Sequence, residues 1–236
     1  MMVEESTSFV LPARNEATTT PERRGIARDD VRLLVTDRSS GGHRDASFRD
    51  LPAFLRAGDL LVANDSATLP AALRAQRADG EAFALHLSTR IADALWIAEP
   101  RAAQPVAAGE RVALAGRGEA TFLAPVDDAH PRLWYTGLTV PQPFDAFLSQ
   151  HGAPVRYPYV VETLPLADYQ TVFARVPGSA EMPSAARPFT LEALDDLHEA
   201  GVALATVTLH TGVSSPERHE RPYRGSTSCP PRPRAR

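Results

Sequence analysis

Between about Leu69 and Pro141 the chain breaks into short apolar runs: PAALRAQ, AFALHLS, ALWIAEP, RVALAG, ATFLAPV and LWYTGL. Turn residues separate them about every eight to twelve positions, the spacing of an all-β sandwich or barrel. Runs this short do not carry helical periodicity, so the middle of the chain has to fold as sheet.

The flanks read differently. Upstream, polar and proline-rich text leads to a strand at Val31–Thr36, expected to be buried, then the turn SSGGHRD and a second strand near Ala46. Asp50 to Arg56 reads as a short helix with Leu51, Phe54 and Leu55 on one face; Gly58-Asp59 ends it and a buried strand follows at Leu60–Asn64. Downstream, Phe144–Gln150 before Gly152 reads as a helix, and Leu166–Val176 as a second. Thr190 caps a third, TLEALDDLHEA, with Leu191, Leu194 and Leu197 on its stripe and Gly201 as terminator; a strand follows at Val202–Leu209. The predicted architecture is an α/β domain with an inserted antiparallel β-barrel-like domain. Residues 1–68 and 142–215 form the discontinuous α/β domain and 69–141 the insertion. Residues 216–236 are expected to be a disordered Arg/Pro-rich tail.

Composition removes several chemistries. All 25 cationic residues are arginine, so no P-loop lysine and no Schiff-base lysine exists. Cys229 stands alone and can form neither an internal disulfide nor a metal framework. The net charge of −4 includes six Arg against two Glu from Pro216 onward, so the preceding residues are the more acidic part. That is a poor footprint for non-specific nucleic-acid binding, although local basic clusters could still hold an RNA. No apolar run reaches the roughly eighteen residues of a membrane span. MMVEESTSFVLPARNE lacks a continuous apolar segment, so neither a secretory signal nor a membrane partner is expected, and the predicted location is cytoplasmic.

Three local motifs fail on context. AGRGEATF has two glycines of a dinucleotide loop but sits between strands, where it reads as a hairpin turn. HERPY at His219 lacks the second histidine of a zinc-protease helix and contains Pro222. A Gly-x-Ser-x-Gly elbow is absent.

Three longer stretches, in order, carry a resemblance. They are PERRGIARDDVRLLVTDRSSGGHRDASFRDLPAFLRAGDLLVANDSATLPAAL (Pro21–Leu73), ADYQTVFARVPGSAEMPSAARPFT (Ala167–Thr190) and HEAGVALATVTLHTGV (His198–Val213). Together they resemble the S-adenosylmethionine:tRNA ribosyltransferase-isomerases of queuosine biosynthesis. The resemblance implies an α/β domain with an inserted β-barrel. It implies S-adenosylmethionine as ribosyl donor and tRNA as second substrate, with no metal or tightly bound cofactor. A base would remove a proton beside the sulfonium, and the sugar would rearrange to an epoxide-bearing ring. That ring would pass to the aminomethyl group of a deazaguanine in the anticodon, with adenine and methionine leaving. A monomer is expected.

Site residues follow position by position. Asn64 and Asp65 end a strand, where α/β folds place ligand contacts, or form an Asx-turn. Tyr169 and Gln170 contact base or sugar, or Tyr169 docks a helix. Pro183 and Ser184 keep the frame of the family's ligand-side box. His210 follows the last strand and opens the loop with Thr211 and Gly212; it is either a general base or acid, or a structural loop histidine. Arg23, Arg24 and Arg32 either meet phosphates or are solvated.

The departures are equally specific. In PSAARPF, Ala186, Arg187 and Pro188 stand where the family has glycine, leucine and histidine, and GVSSPE replaces the Gly-x-Gly-Thr-Phe that should follow the histidine. Family members also continue past this length, which predicts an uncovered sheet edge or face. Two readings explain the end of the chain: truncation, or a shortened relative with a basic tail for RNA. The alternative function is therefore a catalytically impaired homologue or pseudoenzyme that at most binds nucleoside or tRNA.

Overall fold

The computed structural model describes residues 10, 12, 15, 17–127, 131–156, 160 and 162–213. The tail expected at 216–236 lies outside the described residues. In chain order, β1 (Arg32–Thr36) and β2 (His43–Ser47) form an antiparallel ribbon, followed by 3-10 turns at Phe48–Phe54. Next come β3 (Leu60–Asn64), β4 (Ser66–Thr68), β5 (Ala72–Gln76), β6 (Ala82–Ala92), β7 (Leu95–Pro100), β8 (Arg111–Leu114), β9 (Gly118–Pro125) and β10 (Trp134–Thr139). Helix α1 (Phe144–His151) leads into the two-residue β11 (Gly152–Ala153). The chain then runs through β12 (Val176–Ser179), α2 (Leu191–Glu199) and β13 (Ala203–Val207).

Strands β5, β6, β7, β10, β9 and β8 follow one another around a closed antiparallel barrel, with β8 returning to β5. Period-two alternation drives it: Leu73, Leu85, Leu87, Val112 and Phe122 point inward and are fully buried, while their neighbours face out. Helix α1 packs Phe147 and Leu148 into the same core, and Trp96 stacks on Phe144 at 5.1 Å between centroids. Gly118 admits that helix, since a Cβ there would stand 2.9 Å from Phe147 Cζ. Removing a buried ring such as Phe147 costs about 3–5 kcal/mol.

One buried charge pins the barrel's outside. Glu99 on β7 accepts from Arg101 Nη1 at 2.9 Å and Arg132 Nη1 at 3.0 Å, with His86 Nδ1 of β6 at 3.5 Å. Burial pushes its carboxyl upward, but hydrogen bonding to His86 and Arg101 prevails and holds it at about 2.

The barrel is inserted between parallel strand pairs. β3 pairs with β13 and β4 with β12, both parallel. The second core lies beside them, where Phe189 meets Phe48 and Phe173 edge-on at 4.8 and 5.2 Å. Helix α2 starts as expected, with Thr190 Oγ1 accepting from Ala193 N–H at 3.1 Å.

Several expectations need correction. Leu166–Val176 is not a helix: a 3-10 turn at Leu166–Tyr169 and a second turn at Val172–Phe173 lead into β12, which holds Pro177 and Gly178. The Val31–Thr36 and Leu60–Asn64 strands are not buried throughout; Leu60 and Val62 are 60% and 56% exposed, and Leu34 is exposed too. Leu191 occupies the first helical position and faces solvent, leaving Ala193 and Leu197 to anchor α2.

Candidate active site

Asp65 is the pivot between the two strand pairs. Its N–H donates to Val207 O at 3.0 Å, while its carbonyl accepts from Arg175 and Val176 N–H at 2.9 and 3.1 Å. Asp65 thus bonds to the end of β13 through its N–H and to the start of β12 through its C=O. The chain leaving β13, residues 208–213, runs as a strap past Asn64, Ser66 and Ser179 to Ser88.

Nearly every polar group of that strap is tied down. Thr208 Oγ1 donates to Asp65 Oδ1 at 2.6 Å. Leu209 N–H donates to Asn64 Oδ1 at 3.0 Å, and Asn64 Nδ2 donates back to Leu209 O at 2.7 Å. His210 Nδ1 lies 2.7 Å from Ser66 Oγ, which lies 2.6 Å from Ser179 Oγ. Thr211 N–H donates to Ser179 Oγ at 3.1 Å, Thr211 O accepts from Ala180 N–H at 2.7 Å, and Thr211 Oγ1 donates to Glu181 O. Finally, Val213 N–H donates to Ser88 Oγ of β6 at 2.9 Å, and the Val213 side chain enters the barrel core. His210 thus stands at the seam between barrel and parallel strands.

Close packing holds the imidazole as firmly as hydrogen bonding. A Cβ on Gly178 would fall 2.3 Å from His210 Cε1 and 2.4 Å from Nδ1, so the ring lies directly on the glycine backbone. Gly212 is confined in the same way, since a Cβ there would reach within 2.6 Å of Ser88 Oγ. The histidine is nonetheless exposed, and among the described residues its Nε2 has no hydrogen-bond partner. A ring fixed at one nitrogen and open at the other can transfer a proton or donate a hydrogen bond to a bound molecule.

The other expected residues divide. Asn64 spends its amide on the strap and on Ser66 N–H at 3.0 Å, and the buried Asp65 serves Thr208. Gln170 reads the backbone of Thr68, accepting from its N–H at 2.9 Å and donating to its carbonyl at 2.8 Å. Tyr169 O accepts from Thr68 Oγ1 at 3.0 Å, and burial pushes the Tyr169 phenol above its ordinary range. Thr211 and Gly212 belong to the strap. Pro183 and Ser184 open a 3-10 turn, in which the Ser184 carbonyl accepts from Arg187 N–H at 3.1 Å and the Ser184 side chain is exposed.

Sequence reasoning missed Ser66, Ser179, Gly178 and Ser88. The departures from the family box turn out to be built into the fold. Ala186 belongs to the second core, and the buried Arg187 donates to Glu22 at 3.1 Å and to Asp168 O at 3.1 Å. Burial raises the Glu22 carboxyl, but hydrogen bonds from Arg28 and Arg187 outweigh it and hold the group at about 2. Arg23 pairs with Asp168 at 3.3 Å, while Arg24 and Arg32 face solvent. Among the described residues no three His, Cys, Asp or Glu side chains converge as a metal site, and no helix is long and apolar enough to cross a membrane.

Comparison with known proteins places the chain among relatives. A sequence profile described as Queuosine biosynthesis protein matches residues 5–223. The S-adenosylmethionine:tRNA ribosyltransferase-isomerase of Geobacter metallireducens is 36% identical over 193 residues, covering 80% of this chain and 55% of that protein. The protein of the same name from Thermus thermophilus is 36% identical over 210 residues, covering 82% of this chain and 59% of its own length. The crystal structure of S-adenosylmethionine tRNA ribosyltransferase from Thermotoga maritima aligns with a TM-score of 0.34 at 24% identity, over 86% of this chain and 57% of that one. The chain spans about half the length of the curated relatives it matches.

Proposed function

Since the chain belongs to the queuosine biosynthesis protein family, we propose that it carries out the reaction for which its relatives are named. The ribosyl part of S-adenosylmethionine is isomerised and transferred to an aminomethyl-deazaguanine in tRNA, and adenine and methionine leave. S-adenosylmethionine is a substrate, and the reaction uses no further cofactor or metal. The protein works as a cytoplasmic monomer.

One observation supports this reading above the others: the strap fixes His210 at Nδ1 through Ser66 and leaves Nε2 open at the seam. His210 is the catalytic residue of the site and works through its open nitrogen. Thr211 and Gly212 shape its loop, Asn64 and Asp65 hold that loop, and Gln170 with Tyr169 sets the facing wall through Thr68. The partly desolvated Tyr169 phenol stays protonated at neutral pH and suits contact with a base or sugar. The Pro183–Ser184 turn lies on the substrate side.

The test is adenine release from S-adenosylmethionine by the purified chain, with tRNA carrying the aminomethyl-deazaguanine. Release that depends on the modified tRNA and falls on His210→Ala supports the reading. A chain that melts cooperatively yet releases no adenine sinks it. A second reading, a binder without turnover, is favoured by Ala186 and Arg187 serving the core and Glu22. It requires tRNA or nucleoside binding with no adenine release.

A further inference from the structure

The hydroxyl chain behind His210 dictates which ring nitrogen carries the proton. Ser179 and Ser66 are 0% and 1% exposed, so their hydrogens have no access to bulk water. Ser179 Oγ already accepts from Thr211 N–H at 3.1 Å. Among the described residues, the acceptor within reach of its own hydrogen is Ser66 Oγ, at 2.6 Å. The Ser66 hydrogen has two acceptors in reach, Ser179 Oγ and His210 Nδ1. With Nδ1 bare, Ser179 donates to Ser66 and Ser66 donates to Nδ1, so each contact holds one hydrogen. With a hydrogen on Nδ1, three hydrogens compete for two contacts and one buried hydroxyl loses its acceptor. A stranded buried donor shifts such an equilibrium by roughly five- to a hundredfold.

We infer that Ser66 and Ser179 keep His210 Nδ1 bare and the ring proton on Nε2, so that His210 meets the substrate as a hydrogen-bond donor. A ring flip that exchanged the nitrogens would carry Nδ1 away from Ser66 Oγ and lose that hydrogen bond. This rests on the reading above for the identity of the substrate, and it sharpens the role of His210. The open nitrogen faces an oxygen or nitrogen acceptor, such as a ribose oxygen or the carboxylate of S-adenosylmethionine. A different group removes the proton beside the sulfonium. Ser66 and Ser179 are positioning residues; they act through His210.

The tautomer is read from the ring nitrogens of the uniformly labelled full chain by long-range proton–nitrogen correlation, with His210→Ala supplying the assignment. The expected result is a bare Nδ1 and a protonated Nε2 in the wild type. In folded Ser66→Ala, the Nδ1–H form should grow by about fivefold or more. A wild-type ring protonated at Nδ1, or one whose tautomer mixture matches Ser66→Ala, overturns the inference. Activity supplies the second arm. Glutamine keeps an N–H donor near the Nε2 position, so His210→Gln should keep adenine release within about tenfold while His210→Ala loses about a hundredfold. Equal loss in both overturns the donor role. Absence of release in the wild type counts against the proposed reaction alone, and the ring measurement still decides the tautomer.

Discussion

Replacing Glu99 by glutamine removes one charge from the barrel wall and leaves its shape intact. The carboxylate is 2% exposed and shared by Arg101, Arg132 and His86. A carboxyl held at about 2 instead of 4.5 corresponds to about 3 kcal/mol of stabilisation at neutral pH. Because the folded value is depressed, that contribution is complete above pH 4.5 and disappears as the pH falls through about 2. Glu99→Gln should therefore lower unfolding free energy by about 2–4 kcal/mol at pH 7, and by progressively less toward pH 2. Urea unfolding followed by tryptophan fluorescence suits the measurement, because Trp96 and Trp134 both belong to the barrel. Glu119→Gln is the control: its partner Arg111 is well exposed, so the change should stay within about 0.5 kcal/mol. A Glu99→Gln loss below about 0.5 kcal/mol at pH 7, or a loss that persists unchanged at pH 2, refutes the reasoning.

Gly178→Ala places a methyl 2.3 Å from the His210 ring; the imidazole must leave Ser66, and adenine release should fall about a hundredfold with the chain still folded. Unchanged release would mean that ring placement is unimportant. Gln170→Ala removes both side-chain bonds to Thr68, so exchange of the Thr68 amide should accelerate by about tenfold or more, read by hydrogen-exchange NMR. Thr190→Ala removes the acceptor for Ala193 N–H and should cost about 1 kcal/mol in urea unfolding.

The barrel was legible because short apolar runs separated by turn residues recur between about Leu69 and Pro141, and runs this short leave little but strand to form. Helix α2 was legible from Thr190 and its leucines, although Leu191 falls on the solvent side because the first turn projects past the core. The Leu166–Val176 helix was misread because its apolar spacing suits a helix, whereas Gln170 pairs with the Thr68 backbone and Pro177 extends the chain. Within the site, His210 was visible as a titratable residue at a strand end. Ser66 and Ser179 were not, because they lie 144 and 31 positions from it in sequence, and each is an ordinary small polar residue until the strap brings them together. The same holds for Gly178, whose missing side chain makes room for the ring.

The seam around His210 as the S-adenosylmethionine site is tested most directly by a residue-resolved amide NMR titration of the full chain with that compound. Shifts should concentrate at Asn64–Thr68, Tyr169–Gln170, Gly178–Ser179 and Thr208–Gly212, and should weaken in His210→Ala. Shifts confined to the β1–β2 ribbon or the outer barrel wall, or saturation unaffected by His210→Ala, would contradict that assignment.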